Sequence, residues 1–305
     1  VNATNDVILS VLKGPYQWSD VATFANSIKH SGYKGKKIFL VSGITSELRQ
    51  KLTDEGFELV DYFRFPEREM GSFCGARFWP INDLLKERAA EFRYLFHVDW
   101  RDLVVQADPS AWMEKHLGPD KLLGCTEGMR VEEEYYNDWW LKQAAPDHAT
   151  YEMARRYDIL CAGTIAGEAL AMRDLLCAIY DVLNTSPLKP DYEGGLTPPF
   201  DQGILNYIVR LSPFKEILRV PRLEEGFTAS VSWYITHRWT NREVPVMKDG
   251  LVYPQGKAEP FCILHQYDRC AIWKAAVVAR YADGVIPAPA APPENTTTSR
   301  WLRKQ

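Results

Sequence analysis

Between Val7 and Phe63 the chain alternates apolar runs with helical periodicity, and this restricts the fold more than any other feature. VILSVLKG (Val7–Gly14) reads as a strand and turn. Val21, Phe24, Ala25 and Ile28 fall at helical spacing over Trp18–His30, with Ser19 as cap and Gly32 as stop. KKIFLVSG (Lys36–Gly43) is a second strand, Thr45–Glu55 a second helix and FELVDYF (Phe57–Phe63) a third strand. Strand–helix alternation of this kind predicts an α/β chain with a mostly parallel sheet flanked by helices. Ligands of open α/β sheets bind at the carboxyl ends of strands, so the chemistry is sought there. No GxGxxG follows Val7–Leu12, which argues against a dehydrogenase.

The central stretch is FRYLFHVDWRDLVVQADP (Phe92–Pro109). A compact apolar run, Tyr94, Leu95, Phe96 and Val98, ends in two carboxylates, Asp99 and Asp102. Acids beside a core strand need a cation or N–H partners. Two readings stand for the pair. It holds a hard divalent cation together with substrate phosphates, or it is a turn in which Asp99 caps the next segment and Arg101 pairs with Asp102.

Upstream, Pro80 opens a helix with Ile81, Leu84, Leu85 and Phe92 on one face. Downstream come a strand at Lys121–Gly128 and the acidic, aromatic EEEYYNDWW (Glu132–Trp140). That segment is either a solvated acidic turn followed by a partly buried helix, the preferred reading, or a sugar-binding surface. DILCAG (Asp158–Gly163) is a strand ending at Ala162-Gly163. The helix Glu168–Leu183 carries Leu170, Leu175, Leu176, Ile179 and Leu183 on its face. A Pro/Gly-rich loop, Leu188–Phe200, leads to a helix over Asp201–Leu211. FKEILRVP (Phe214–Pro221) is a late strand, and FCILHQYDR (Phe261–Arg269) holds another that ends at His265.

The 305 residues, 46% apolar and 12% aromatic, are enough for a large core. A single domain over 1–284 is expected, followed by a Pro/Ala-rich linker or tail over 285–305. Net charge is −4 with acids and bases mixed along the chain, so nucleic acid is not an expected partner. No apolar run is long enough to span a membrane. The six cysteines are scattered singly, with no CxxC, and Cys125, Cys161 and Cys262 read as small core residues. Sequons at Asn2, Asn184 and Asn295 exceed the roughly one expected by chance and favour the secretory pathway, such as the Golgi lumen. The chain starts at Val1, which reads as a processed or trimmed N-terminus.

Taken singly, Asp201 reads as an N-cap, Ala162-Gly163 as a tight turn and His265 as a structural hydrogen-bonder. Their order along the chain says more. GARFW with Arg77, then LFHVDWRD, LCAGTIAG, FDQGILNYI and ILHQYDR resemble the metal-dependent glycosyltransferases of the GT-A fold. The likeness is strongest to the retaining branch that includes glycogenin and the lipopolysaccharide galactosyltransferases. It covers roughly residues 7–270 through these short motifs, and the Asp-Gln-Gly-Ile-Leu-Asn match is the most specific. The departure is Asp-x-x-Asp where that family has Asp-x-Asp.

The resemblance implies a GT-A-like nucleotide-sugar-binding fold with Mn²⁺ or Mg²⁺ as cofactor. It implies transfer of a sugar from a nucleotide-diphosphate donor to a glycan, glycoprotein or other hydroxyl acceptor, with retention. Metal ligands would be Asp99, Asp102 and His265. Val11, Lys13 and Gly14 would meet the nucleobase and ribose, as would Asp99 the ribose. Arg77, Ala162 and Gly163 would line the donor-sugar pocket, Asp201 would bind sugar hydroxyls, and Gln202 would lie near the anomeric carbon. The alternatives are an inverting transferase of the same fold, for which Glu193 is the nearest base in sequence, and a catalytically silent carbohydrate- or nucleotide-binding protein. A haloacid-dehalogenase-type hydrolase would need Asp-x-Asp-x-Thr, which HVDWRDLV lacks.

Overall fold

A computed structural model describes residues 5–62, 73–190, 195–231 and 245–281. Asn2, Asn295, Glu193 and the 285–305 tail lie outside the described residues. The strands are β1 (Val7–Lys13), β2 (Lys36–Ser42), β3 (Glu58–Asp61), β4 (Tyr94–Val98), β5 (Leu103–Val105), β6 (Leu122–Arg130), β7 (Asp158–Glu168), β8 (Lys189–Pro190), β9 (Leu196–Thr197), β10 (Leu218–Arg219), β11 (Thr228–Ser230), β12 (Val246–Lys248), β13 (Leu251–Tyr253) and β14 (Ile263–His265). The helices are α1 (Trp18–His30), α2 (Ser46–Asp54), α3 (Phe73–Ala76), α4 (Phe78–Arg88), α5 (Pro109–His116), α6 (Tyr135–Ala144), α7 (His148–Ala154), α8 (Ala169–Thr185), α9 (Asp201–Ile208) and α10 (Ala271–Tyr281).

The main sheet runs β10-β6-β7-β4-β1-β2-β3. All neighbours are parallel except at β7, which is antiparallel to both β4 and β6. The sheet is therefore mixed and mostly parallel, as the alternation predicts. Its centre is buried on both faces, which is why β1 reads as a continuous apolar run rather than an alternating one. Val7, Leu9 and Val11 pack on the side of α4 and α8, while Ile8 and Leu12 pack on the side of α1. A small second sheet, β11-β14-β5, leans on a third cluster with Trp273 and Val277 of α10.

Several boundaries differ from the sequence reading. Helix α4 starts at Phe78, so Pro80 sits inside the first turn, where its missing N–H costs nothing. Strand β7 does not end at Ala162-Gly163; it runs on to Glu168 because β4 pairs with it from Thr164 onward. Phe214–Pro221 forms a 3₁₀ turn and only a two-residue edge strand, with Pro221 unable to extend the ladder. Leu170 and Leu211 are 47% and 39% exposed and do not belong to the apolar faces assigned to them. No helix among the described residues is long and apolar enough to cross a membrane.

Candidate functional site

The site forms where β4 leaves the main sheet. Asp99 follows β4, and its N–H donates to the Gly163 carbonyl at 2.8 Å. Trp100 and Arg101 make the bend, and the chain re-enters at β5, which lies antiparallel to β14 with Leu103 opposite His265. That register brings residue 265 beside residue 102, and the Gln266 N–H donates to the Asp102 carbonyl at 2.6 Å. Gln266 has φ +59°, a left-handed conformation that costs a non-glycine residue about 1 kcal/mol and is typical of functional sites.

The two acids and the imidazole converge, with one ligand atom from each within 4.8 Å of the others. His265 Nε2 stands 3.3 Å from Asp102 Oδ1 and 4.0 Å from Asp99 Oδ2. The extra residue in Asp-x-x-Asp thus still leaves both acids facing the imidazole. The bland turn reading fails in both parts: Asp102 pairs with His265 and Arg269, not Arg101, and Asp99 pairs with Arg77. On its far side His265 Nδ1 lies 3.3 Å from Thr164 Oγ1 and 3.4 Å from Cys161 Sγ. Two carboxylates and one imidazole whose other nitrogen is held by polar neighbours form a donor set that fits Mn²⁺.

Burial works to raise the Asp102 carboxyl, but His265 and then Arg269 outweigh it, and the group is lowered to about 2. Burial works to lower His265, while Asp102, Asp99 and Glu127 together raise it above its ordinary value.

Arg77 joins this cluster to a second one. One guanidinium nitrogen binds Asp99 and the other binds Asp201, and the latter also donates to the Ala162 carbonyl at 3.3 Å. Arg77 is buried, which opposes its charge, yet Asp99 and Asp201 more than restore it. Asp201 is raised, chiefly by burial against the pull of Arg77. It is not the helix cap: Phe200 occupies that position and Asp201 is the first residue of α9, accepting the Gln202 N–H at 2.9 Å.

Gln202 and Asn206, one helical turn apart, clip α9 to β7. Asn206 exchanges both amide bonds with the Leu160 backbone, and Gln202 Oε1 accepts from the Ala162 N–H at 3.1 Å. Four residues of helix advance about 6 Å and two of strand about 6.6 Å, so the two repeats match. The clip falls where β7 bulges: Leu160 faces Thr126 but Ile165 faces Gly124, leaving Cys161–Thr164 out of register with β6. Gly163 sits in this bulge. A Cβ there would lie 2.4 Å from Asp99 Oδ2 and 2.7 Å from the His265 ring, so only glycine lets the acid and imidazole meet.

A cavity of about 300 Å³ opens beside the cluster, lined by Val11, Arg77, His97, Asp99, Trp100 and Asp102 among others. Lys13 and Gly14 continue from the same strand end but do not line it; Lys13 is exposed and Gly14 takes φ +122°. His97 is buried, and burial and Arg77 push its imidazole well below its ordinary value, so Arg77 has an uncharged neighbour.

The structure adds residues that the sequence reading passed over. Gln202 Nε2 donates to Asn137 Oδ1 at 2.7 Å and to Glu127 Oε1 at 3.2 Å. Glu127 is buried, and an acid inside the strand-like KLLGCTEG was the available signal. Asn137 sat unmarked in the aromatic segment. Thr164 and Cys161 flank the Ala-Gly motif and carried no signal of their own.

No protein-family profile matches this chain, and no curated protein does. Solved structures do. An active-site mutant of LgtC superposes with a TM-score of 0.57 at 15% identity, over 93% of this chain and 97% of that one. Galactosyltransferase LgtC in complex with donor and acceptor sugar analogs superposes at 0.55 and 13% identity, with the same coverage. The agreement extends over nearly the full length of both chains, and the protein has the GT-A fold.

Proposed function

We propose that this protein is a metal-assisted glycosyltransferase that moves a sugar from a nucleotide-diphosphate donor to a hydroxyl acceptor on a glycan, with retention. The single observation carrying the reading is the convergence of Asp99, Asp102 and His265, from three separate strand ends, against the Arg77–Asp201 pair in a GT-A fold. The galactosyltransferase structure, solved with donor and acceptor sugar analogs, supports the substrate class. A single domain over 1–284 and a secretory location belong to the same proposal, the latter supported by the sequons.

The metal would be held by Asp99, Asp102 and His265. Bound there, Mn²⁺ or Mg²⁺ supplies Lewis-acid stabilisation of the charge that develops on a leaving diphosphate. The chain's own groups do the rest. Arg77 fixes the Asp99 and Asp201 carboxylates at a set separation. Asp201, with lone pairs to spare after Arg77 and the Gln202 N–H, accepts sugar hydroxyls. The Gln202 amide is nearly saturated: both N–H bonds are donated to Asn137 and Glu127, and one lone pair of Oε1 receives Ala162. Its remaining capacity is as an acceptor, which suits a neighbour of an anomeric carbon that becomes positive as the glycosidic bond breaks. An inverting reaction would need a carboxylate base on the acceptor side. Glu127, the acid hydrogen-bonded to Gln202, is buried, and Glu193 lies outside the described residues.

A thermal-shift screen of nucleoside diphosphates with and without Mn²⁺ tests the donor half. Wild type should be stabilised only by the two together, and Asp102→Ala should lose that response. An unchanged response in Asp102→Ala would mean that the site lies elsewhere. NMR of the first-formed product, read against the donor's anomeric configuration, tests retention.

A further inference from the structure

Helix α6 carries two exposed aromatic side chains at its start. Asn137, Leu141 and Ala144 form its buried face. Tyr135 and Tyr136, at 76% and 48% exposed, stand on its outer side, and Tyr135 is the most exposed large hydrophobic residue among those described. Their rings are not isolated. Tyr135 meets Tyr136 edge-on at 5.4 Å, Tyr136 meets Trp140 at 6.3 Å, and Trp140 meets Phe200 at 5.2 Å. Phe200 is the residue immediately before Asp201. The band therefore runs from solvent to the start of α9. It is also tied to the site by hydrogen bonds: Glu134 accepts the Asn137 side chain at 2.8 Å, and Asn137 in turn accepts from Gln202. Tyr136 and Trp140 are a helical turn apart on the flank next to Asn137.

We propose that this band is a saccharide-binding surface that leads an oligosaccharide acceptor to Gln202. The inference rests on the transferase reading for the word acceptor. A pyranose offers an apolar C–H face that stacks on an aromatic ring and a hydroxyl edge that needs hydrogen-bond acceptors. Both are present: the rings line the path, and the exposed carboxylates Glu132 and Glu133, which also meet Arg130, lie just before α6 in the chain. Those acids disfavour nucleic acid or an anionic membrane as the occupant. The rings are rigid, so ordering them on binding costs little entropy.

Saturation-transfer NMR with linear tetrasaccharides of glucose, galactose, mannose and N-acetylglucosamine tests the proposal on the full chain. On wild type, at least one probe should receive saturation on the protons of one pyranose face. Tyr135→Ala/Tyr136→Ala should weaken that probe's Kd at least tenfold, and both residues are exposed enough for the variant to fold. The thermal response to nucleoside diphosphate and Mn²⁺ should be the same in the variant as in wild type. The proposal is overturned if no probe gains signal, if the variant binds as wild type does, or if sedimentation shows a wild-type dimer that the double substitution dissolves. A saccharide signal that persists while the nucleotide response is absent from wild type keeps the surface and rejects the transferase reading.

Discussion

The two acidic ends of the site are built from the same residue type and held in opposite ways. Asp102 keeps some contact with solvent and has two cationic neighbours, His265 and Arg269; its carboxyl is lowered to about 2 despite its burial. Asp201 is almost wholly buried and has one, Arg77, which it shares with Asp99; burial wins and its carboxyl is raised. The first end holds negative charge cheaply and suits a cation that comes and goes. The second holds it only through one arginine. Arg77 is therefore where the site is most vulnerable, although it touches neither His265 nor Asp102 among the hydrogen bonds and ion pairs described.

The comparison breaks most visibly at that arginine. Arg77→Met should destabilise the fold by about 3–5 kcal/mol, because it strands a buried carboxylate. Urea unfolding measures it. Adding Asp201→Asn to that variant should recover much of the loss, whereas adding Asp102→Asn should recover none. Recovery by Asp102→Asn would mean that the two ends are one electrostatic unit.

Asp201→Asn in an otherwise native chain separates charge from shape. Asn keeps an acceptor for the Gln202 N–H and removes a charge that burial already disfavours, so stability should change by less than about 1 kcal/mol. Turnover should fall about a hundredfold, or about 2.7 kcal/mol of barrier, if the carboxylate accepts donor-sugar hydroxyls. A purely structural Asp201 would leave kcat near its native value in the folded fraction.

Gly163→Ala acts at the cation end without removing a charge. The new methyl falls between Asp99 and His265, and relieving it should cost about 1–3 kcal/mol. The nucleotide- and Mn²⁺-dependent thermal shift should shrink while the Arg77–Asp201 end is spared. A full metal response in this variant would show that the acids and the imidazole can separate and still bind.

Much of the fold was legible because its signals are local. The β1–α1–β2–α2–β3 alternation follows from apolar periodicity, and the α9 motif from one helical turn of polar residues on an apolar helix. What stayed illegible depends on pairings between distant segments. The extension of β7 past Gly163 is decided by β4, the bulge by β6, and the failure of Phe214–Pro221 as a long strand by its place at the sheet edge. The same holds for the site. Asp99, Asp102, His265, Arg77 and Asp201 could be named from motif resemblance, and their convergence answers which acid faces the imidazole. Glu127 and Asn137 come in through the side chain of Gln202, a contact that no spacing within either segment encodes. Asp201 was misread as a cap because N-cap and N1 differ by one residue, well within the error of a boundary read from sequence.

The smallest expected effect is in the pH dependence of the cation end, and it tests the comparison without altering the fold. His265 is raised: burial opposes its charge, but Asp102, then Asp99 and Glu127, more than offset it. A raised histidine stabilises the folded chain fully below its unfolded pKa, and that contribution is lost as pH rises through the folded pKa. Asp102 is depressed, so its contribution is present above its unfolded pKa and lost as pH falls toward about 2. Without metal, the pair therefore stabilises most between roughly pH 4 and 6.5, the unfolded values of the two groups. A metal ligand must be a neutral imidazole, so proton and metal compete for His265. Mn²⁺ affinity should rise about tenfold per pH unit below the folded pKa of His265 and level off above it. The metal-dependent thermal shift is then weakest where the apo protein is strongest. Asp102→Asn removes the main cause of the rise, so the His265 ring-proton titration should move to lower pH in NMR. Asp201→Asn should leave it nearly in place, since Asp201 is not among the main groups that set it. A wild-type His265 that titrates below its ordinary value, or one that moves equally in both variants, would show that the cation end is not governed by the Asp102 pair.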